Sequence, residues 1–181
     1  MRCPATKTRI TVHNKLTTCL TGHLASAKFG FTADLIHLSS SSTSGRQHDG
    51  LLTSASRTRP LAFDTTLTCP FLPSYIDLAV RSADAPLLDK AARKNAKHAA
   101  GCISMGNDFL PFVVTTLGGI GPPAFREFLR SVHLDLAAQS IASGDSSVEA
   151  NSVYANFLST IQAIVARGNY MTVDKHTPPY V

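Results

Sequence analysis

The chain has 181 residues, 44% hydrophobic and only 16% charged, enough for one core in a domain whose solubility rests on Ser, Thr and Gly. Lys and Arg outnumber Asp and Glu by 17 to 12, and the resulting +5 suits a polyanion partner without requiring one. No apolar run approaches the roughly 18 residues that span a bilayer, which argues against a membrane segment.

At the N-terminus, Arg2, Lys7, Arg9, Lys15 and Lys28 all precede the first acid, Asp34, among many Ser and Thr residues. That is the composition of an organelle transit peptide. Leu16, Leu20, Leu24 and Ala27 recur at helical spacing instead, and argue for a first helix over residues 12–28, behind an extension of residues 1–11 and stopped by Gly30. Residues 31–38 read as a short strand carrying Asp34. Residues 39–59 are Ser-rich, with Gly45 and Gly50 and no apolar period, and predict a loop or insertion.

Residues 61–69 give the clearest strand. Leu61, Phe63, Leu67 and Cys69 point one way, and Asp64, Thr66 and Thr68 the other. Pro70 and Pro73 end it, and a loop follows. Asp84 with Pro86 opens a helix to about residue 100. Residues 109–117, rich in β-branched side chains, form another strand, which stops at the abrupt turn Gly118-Gly119-Ile120-Gly121-Pro122-Pro123.

Two helices close the chain. Phe125, Phe128, Leu129, Val132 and Leu136 mark the first, and Val153, Phe157, Ile161 and Ile164 the second. Ser146 and Glu149 have capping-box spacing, Gly168 stands as the stop, and residues 169–181 read as a loose tail. The order of elements predicts an α/β domain over residues 12–142, a small mixed β-sheet flanked by helices, followed by a C-terminal helix and tail over residues 143–181. The four cysteines, Cys3, Cys19, Cys69 and Cys102, are far apart with no C-x-x-C pair. This argues against a zinc knuckle or a disulfide scaffold, and for reduced core thiols in an intracellular protein.

Asp64 stands out chemically. A carboxylate in an otherwise apolar strand needs a partner, because an unpaired charge near a core is costly. A strand-edge cap or a basic residue would serve. So would a divalent cation, held with a second carboxylate such as Asp34 and activating water against a phosphodiester. On the helix after Asp84, the apolar arc is Leu87, Leu88, Ala91, Ala92, Ala99 and Cys102. Lys94 lies at its edge and can reach the sheet, either beside the carboxylates or covering apolar surface. Lys90, Lys97 and Arg93 turn progressively towards solvent and suit phosphate contacts. The glycine turn lacks the Lys-Ser/Thr ending of a phosphate loop, the seven histidines show no metal-ligand spacing along the chain, and no G-x-S-x-G is present.

Taken in order, Ala33-Asp34-Leu35-Ile36, Ala62-Phe63-Asp64-Thr65-Thr66-Leu67-Thr68, Lys94-Asn95-Ala96-Lys97-His98 and Phe109-Leu110-Pro111-Phe112-Val113-Val114 form a pattern, with His13-Asn14 before and Arg167-Gly168-Asn169 after it. This pattern resembles the restriction-like, PD-(D/E)XK-type endonuclease domain found C-terminal to reverse transcriptase in non-LTR retrotransposons. The resemblance spans residues 12–172. It implies a restriction-endonuclease-like mixed sheet, with Asp34 and Asp64 as the metal-binding acids and a catalytic lysine supplied by a helix, since Thr66 stands where the common pattern has lysine; Lys94 or, less well, Lys97 matches it, and the helical wheel prefers Lys94. Departures include Ala33 for a proline, His98 for a tyrosine, and no acid on the first helix. The function implied is a Mg²⁺- or Mn²⁺-dependent endonuclease cutting DNA, nuclear or cytoplasmic, in association with a parent reverse transcriptase, with Lys90, Arg93 and Lys97 on the DNA backbone. The alternatives are a catalytically inactive nucleic-acid-binding module or a degenerate retroelement remnant.

Overall fold

The computed structural model describes residues 4–27, 30–33, 48–54, 57–144 and 147–174. Helix α1, Pro4–Ser26, begins with a proline, whose fixed φ and missing donor suit a first turn. Residues 4–11 therefore belong to the first helix rather than to an extension. Val12, Leu16, Leu20 and Leu24 bury the predicted stripe completely or nearly so.

Three strands form an antiparallel meander: β1 Gly30–Ala33, β2 Gly50–Thr53 and β3 Leu61–Thr68. Strand β2 lies inside the stretch expected to be a loop. The chain then crosses over through α2, Ile76–Arg81, and α3, Ala85–Ser104, to β4, Asp108–Thr115, which pairs parallel to β3 along its whole length. Helix α2 also falls where a loop was expected. The glycine turn holds a two-residue strand, β5 Ile120–Gly121, antiparallel to β4. Gly118 adopts φ +84 there, and Thr115 Oγ1 accepts from Gly119 N–H at 2.9 Å, so the segment is a tight hairpin. The sheet order is β1-β2-β3-β4-β5, giving the small mixed α/β fold that the sequence predicts.

Helices α4, Pro123–Ala142, and α5, Ser147–Asp174, join α1 on one face of the sheet. There Leu61, Phe63, Phe112 and Val114 meet Leu16, Leu20, Phe125, Leu129, Phe157 and Ile161 in the main core. Phe112 stacks on Phe125 with ring centroids 4.5 Å apart. Helix α3 covers the other face with a smaller cluster, Leu87, Ala91 and Val113. Because both faces are covered, Leu61 to Thr65 are all buried, and the polar side of β3 does not face water as simple alternation would have it.

Helix α5 runs through Gly168 to Asp174 rather than stopping at the glycine, so the expected loose tail is helical over residues 169–174. The glycine has a different use. A Cβ at Gly168 would collide with Val12 Cγ2, so its absence lets α1 and α5 approach closely. Arg126 at the start of α4 grips the Asp84 carboxylate with both terminal nitrogens, at 3.3 and 2.9 Å, tying α4 to the start of α3. Cys19, Cys69 and Cys102 are free thiols, and burial raises the pKa of Cys19 and Cys102. No helix among the described residues is long and apolar enough to cross a membrane. The capping-box residue Ser146 and the segment 175–181 lie outside the described residues.

Candidate metal centre

The site forms where β2 leaves β3. Gly50 is the first β2 residue and pairs with Phe63. Just before it, Asp49 N–H donates to Phe63 O at 2.8 Å, and the Asp49 carboxylate takes the Thr65 N–H at 2.7 Å. A side chain thus replaces the next rung of the ladder. The carboxylate is placed beside Asp64, and no described residue of β2 pairs with β3 beyond Phe63.

Asp64 lies on the face of β3 towards α3 and is 7% exposed. Its Oδ2 contacts the Lys94 ammonium but accepts no well-shaped hydrogen bond. Lys94 occupies the edge of the apolar arc of α3, as the helical wheel requires, with its stem shielded and its charge reaching the sheet. One turn on, His98 is also buried, tilted against Phe109 at 5.7 Å, with Nε2 3.9 Å from Asp64 Oδ2. That separation is too long for a hydrogen bond. Burial lowers the His98 pKa, and the pull of Asp64 offsets it only in part.

From the other side, α1 presents His13. It is held one turn before Thr17, whose hydroxyl hydrogen-bonds Thr65 Oγ1 at 3.0 Å. His13 Nε2 lies 3.0 Å from Asp49 Oδ2, and Nδ1 lies 3.2 Å from Asn14 Oδ1. The hydrogen bond to Asp49 raises the His13 pKa, against the opposing effect of burial. Burial would push the Asp49 carboxyl up, but the hydrogen bonds from His13 and Thr65 N–H, with the charges of His13 and Lys94, hold it below its usual value.

One potential ligand atom from each of His13, Asp49 and Asp64 lies within 4.8 Å of the other two, so this buried and half-buried group could hold a metal ion. The residues present fit one chemically. Two carboxylate oxygens and an imidazole nitrogen are ordinary divalent-cation donors, and an ion there would share the buried Asp64 carboxylate with the Lys94 ammonium that contacts its Oδ2. An open cleft of about 570 Å³ adjoins the group, lined by Arg9, Asn14, His13, Asp49, Thr66 and Lys90 among others.

Of the residues singled out in the sequence, Asp64 and Lys94 meet and Lys90 lines the cleft. Burial lowers the Lys90 pKa, and the charges of Lys94, Arg93 and Arg9 lower it further. Arg93 turns elsewhere: it pairs with Asp89 at 2.8 Å and sits over the Tyr75 ring at 5.9 Å. Lys97 is exposed. Asp34 lies outside the described residues. Sequence reasoning missed Asp49, hidden in the Ser-rich stretch, and it missed Arg9. It also dismissed the histidines on linear spacing, whereas His13 joins its partners across α1, the approach to β2, and β3. No protein-family model and no curated protein matches the chain.

Proposed function

We propose that this chain is a divalent-metal-dependent phosphodiester hydrolase acting on DNA, of the restriction-like endonuclease kind associated with non-LTR retrotransposons. The observation that carries the reading is the convergence of two carboxylates, Asp49 just before β2 and Asp64 on β3, with the Lys94 ammonium, beside a cleft lined by Arg9 and Lys90. A mixed sheet flanked by helices is also what the resemblance implies. In this reading Asp49 takes the place given to Asp34 from the sequence.

A bound Mg²⁺ or Mn²⁺ would lower the pKa of a water molecule and neutralise charge on the phosphodiester. Asp49 and Asp64 hold the ion. Thr65 N–H would fix the Asp49 carboxylate so that it need not reorganise. Lys94 supplies a positive donor where charge develops on the phosphate oxygens. Arg9 and Lys90 hold the flanking backbone and carry no sequence information.

One observation favours a second reading. The Lys94–Asp64 contact already balances the buried carboxylate without any ion, which suits a metal-independent nucleic-acid-binding module. Nicking of supercoiled plasmid with Mg²⁺ or Mn²⁺ separates the two. For the hydrolase, EDTA, Asp49→Asn and Asp64→Asn each reduce nicking by about two orders of magnitude or more. Absence of nicking by a folded sample, with salt-sensitive DNA binding that EDTA does not change, would replace the hydrolase with the binding module.

A further inference from the structure

We infer that His13 is a nitrogen ligand of the centre and tilts its selectivity from Mg²⁺ towards Mn²⁺ and later first-row divalent ions. The inference rests on the metal-dependent reading above and adds the identity of the ion. Three observations carry it. His13 Nε2 and Asp49 Oδ2 are 3.0 Å apart, and two neighbouring ligands about 2.1 Å from one octahedral ion are separated by about 3.0 Å. The ring is oriented for that use, because Nδ1 faces Asn14 Oδ1 at 3.2 Å. An ion that displaces the Nε2 proton now shared with Asp49 would leave Nδ1 its proton for Asn14 and make Nε2 the ligating nitrogen, which is the usual way an outer partner sets a ligating tautomer. Finally, the group supplies nitrogen as well as oxygen. Mg²⁺ prefers oxygen and retains its waters, whereas imidazole suits the transition ions.

Asn14 thus acts as a positioning residue and His13 as a ligand. The two are adjacent on α1, held over the sheet by Thr17 against Thr65. Because α1 is anchored in the core through Leu16 and Leu20, the nitrogen is delivered by a rigid element rather than a loop.

The test uses the whole chain with MnCl2 or MgCl2 alone, without nucleic acid. Thermal midpoints titrated against each ion give the ratio of the two affinities, and pulsed EPR of bound Mn²⁺ reports nitrogen coordination directly. Mn²⁺ binding with nitrogen coupling is expected in the native chain. His13→Asp, an all-oxygen set, should lose that coupling and shrink the Mn²⁺-to-Mg²⁺ affinity ratio roughly tenfold. His13→Asn, which adds no charge, should lose the coupling as well. An unchanged ratio in both variants, with no nitrogen coupling in the native chain, overturns the inference and leaves a carboxylate-only metal site in place. No response to either ion overturns the metal-dependent reading and the inference together.

Discussion

The two faces of the sheet are built on opposite terms. On the face towards α1, α4 and α5, apolar side chains from six elements interlock, including Phe63, Phe112 and Phe125 at essentially zero exposure. On the face towards α3, the apolar cluster among the described residues is smaller, Leu87, Ala91 and Val113, with Pro86 and Cys102 also buried on the helix, and the buried contact includes Asp64, Lys94 and His98. Buried ion pairs tend to break even against the desolvation they require, so they contribute little net stability. The first face holds the fold, and the second spends buried surface on charge. This division is consistent with the metal-centre reading proposed above, since carbon of similar shape would serve stability as well.

The largest expected effect belongs to the apolar face. Phe112→Ala removes a fully buried ring stacked on Phe125 and should cost about 3–5 kcal/mol in urea unfolding, with the metal response retained if the variant folds. On the other face, Lys94→Met leaves Asp64 buried without its counter-charge. Because the Lys94 side chain is 23% exposed, the expected loss is smaller, about 1–3 kcal/mol. Adding Asp64→Asn should recover part of that loss, and a double-mutant cycle measures how much. Additive losses would show that the Lys94–Asp64 contact is not an energetic pair, and the contrast drawn above would weaken.

How much of this was legible differs between the faces in the same way. The apolar face announces itself through periodicity: Leu16, Leu20 and Leu24 at helical spacing, and Leu61 and Phe63 at strand spacing. Asp64 was legible as an exception to that pattern, and Lys94 by its angle on the wheel. Asp49 was not, because its role depends on where a four-residue strand peels away from its neighbour, and Gly50–Thr53 is too short to show a period. His13 was invisible as a ligand because its partners lie in other elements, and linear spacing detects only ligands that share one. Gly168 misled for a related reason. A glycine at a helix end and a glycine at a helix crossing look alike until Val12 is known to face it.

The smallest effect offers the sharpest comparison, because one helix carries a histidine of each kind. His23 is buried against Phe157 with ring centroids 4.2 Å apart, its Nε2 has no partner, and burial lowers its pKa. The unfolded chain then binds the proton more readily. The stability due to His23 is complete above its ordinary value of 6.5 and declines as pH falls below it, levelling at the folded pKa. His13 has the opposite sign. Its pKa is raised beside Asp49, so its contribution is complete below 6.5 and is lost as pH rises to the folded value. Urea midpoints in EDTA between pH 5 and 8 should therefore tilt in opposite directions in two variants. Relative to the native chain, His23→Leu should shift towards losing stability with rising pH and His13→Asn towards losing it with falling pH, because His98, whose pKa is also lowered, contributes the same term to all three chains. Parallel slopes in the two variants would mean that α1 does not divide its histidines between a polar site and an apolar core.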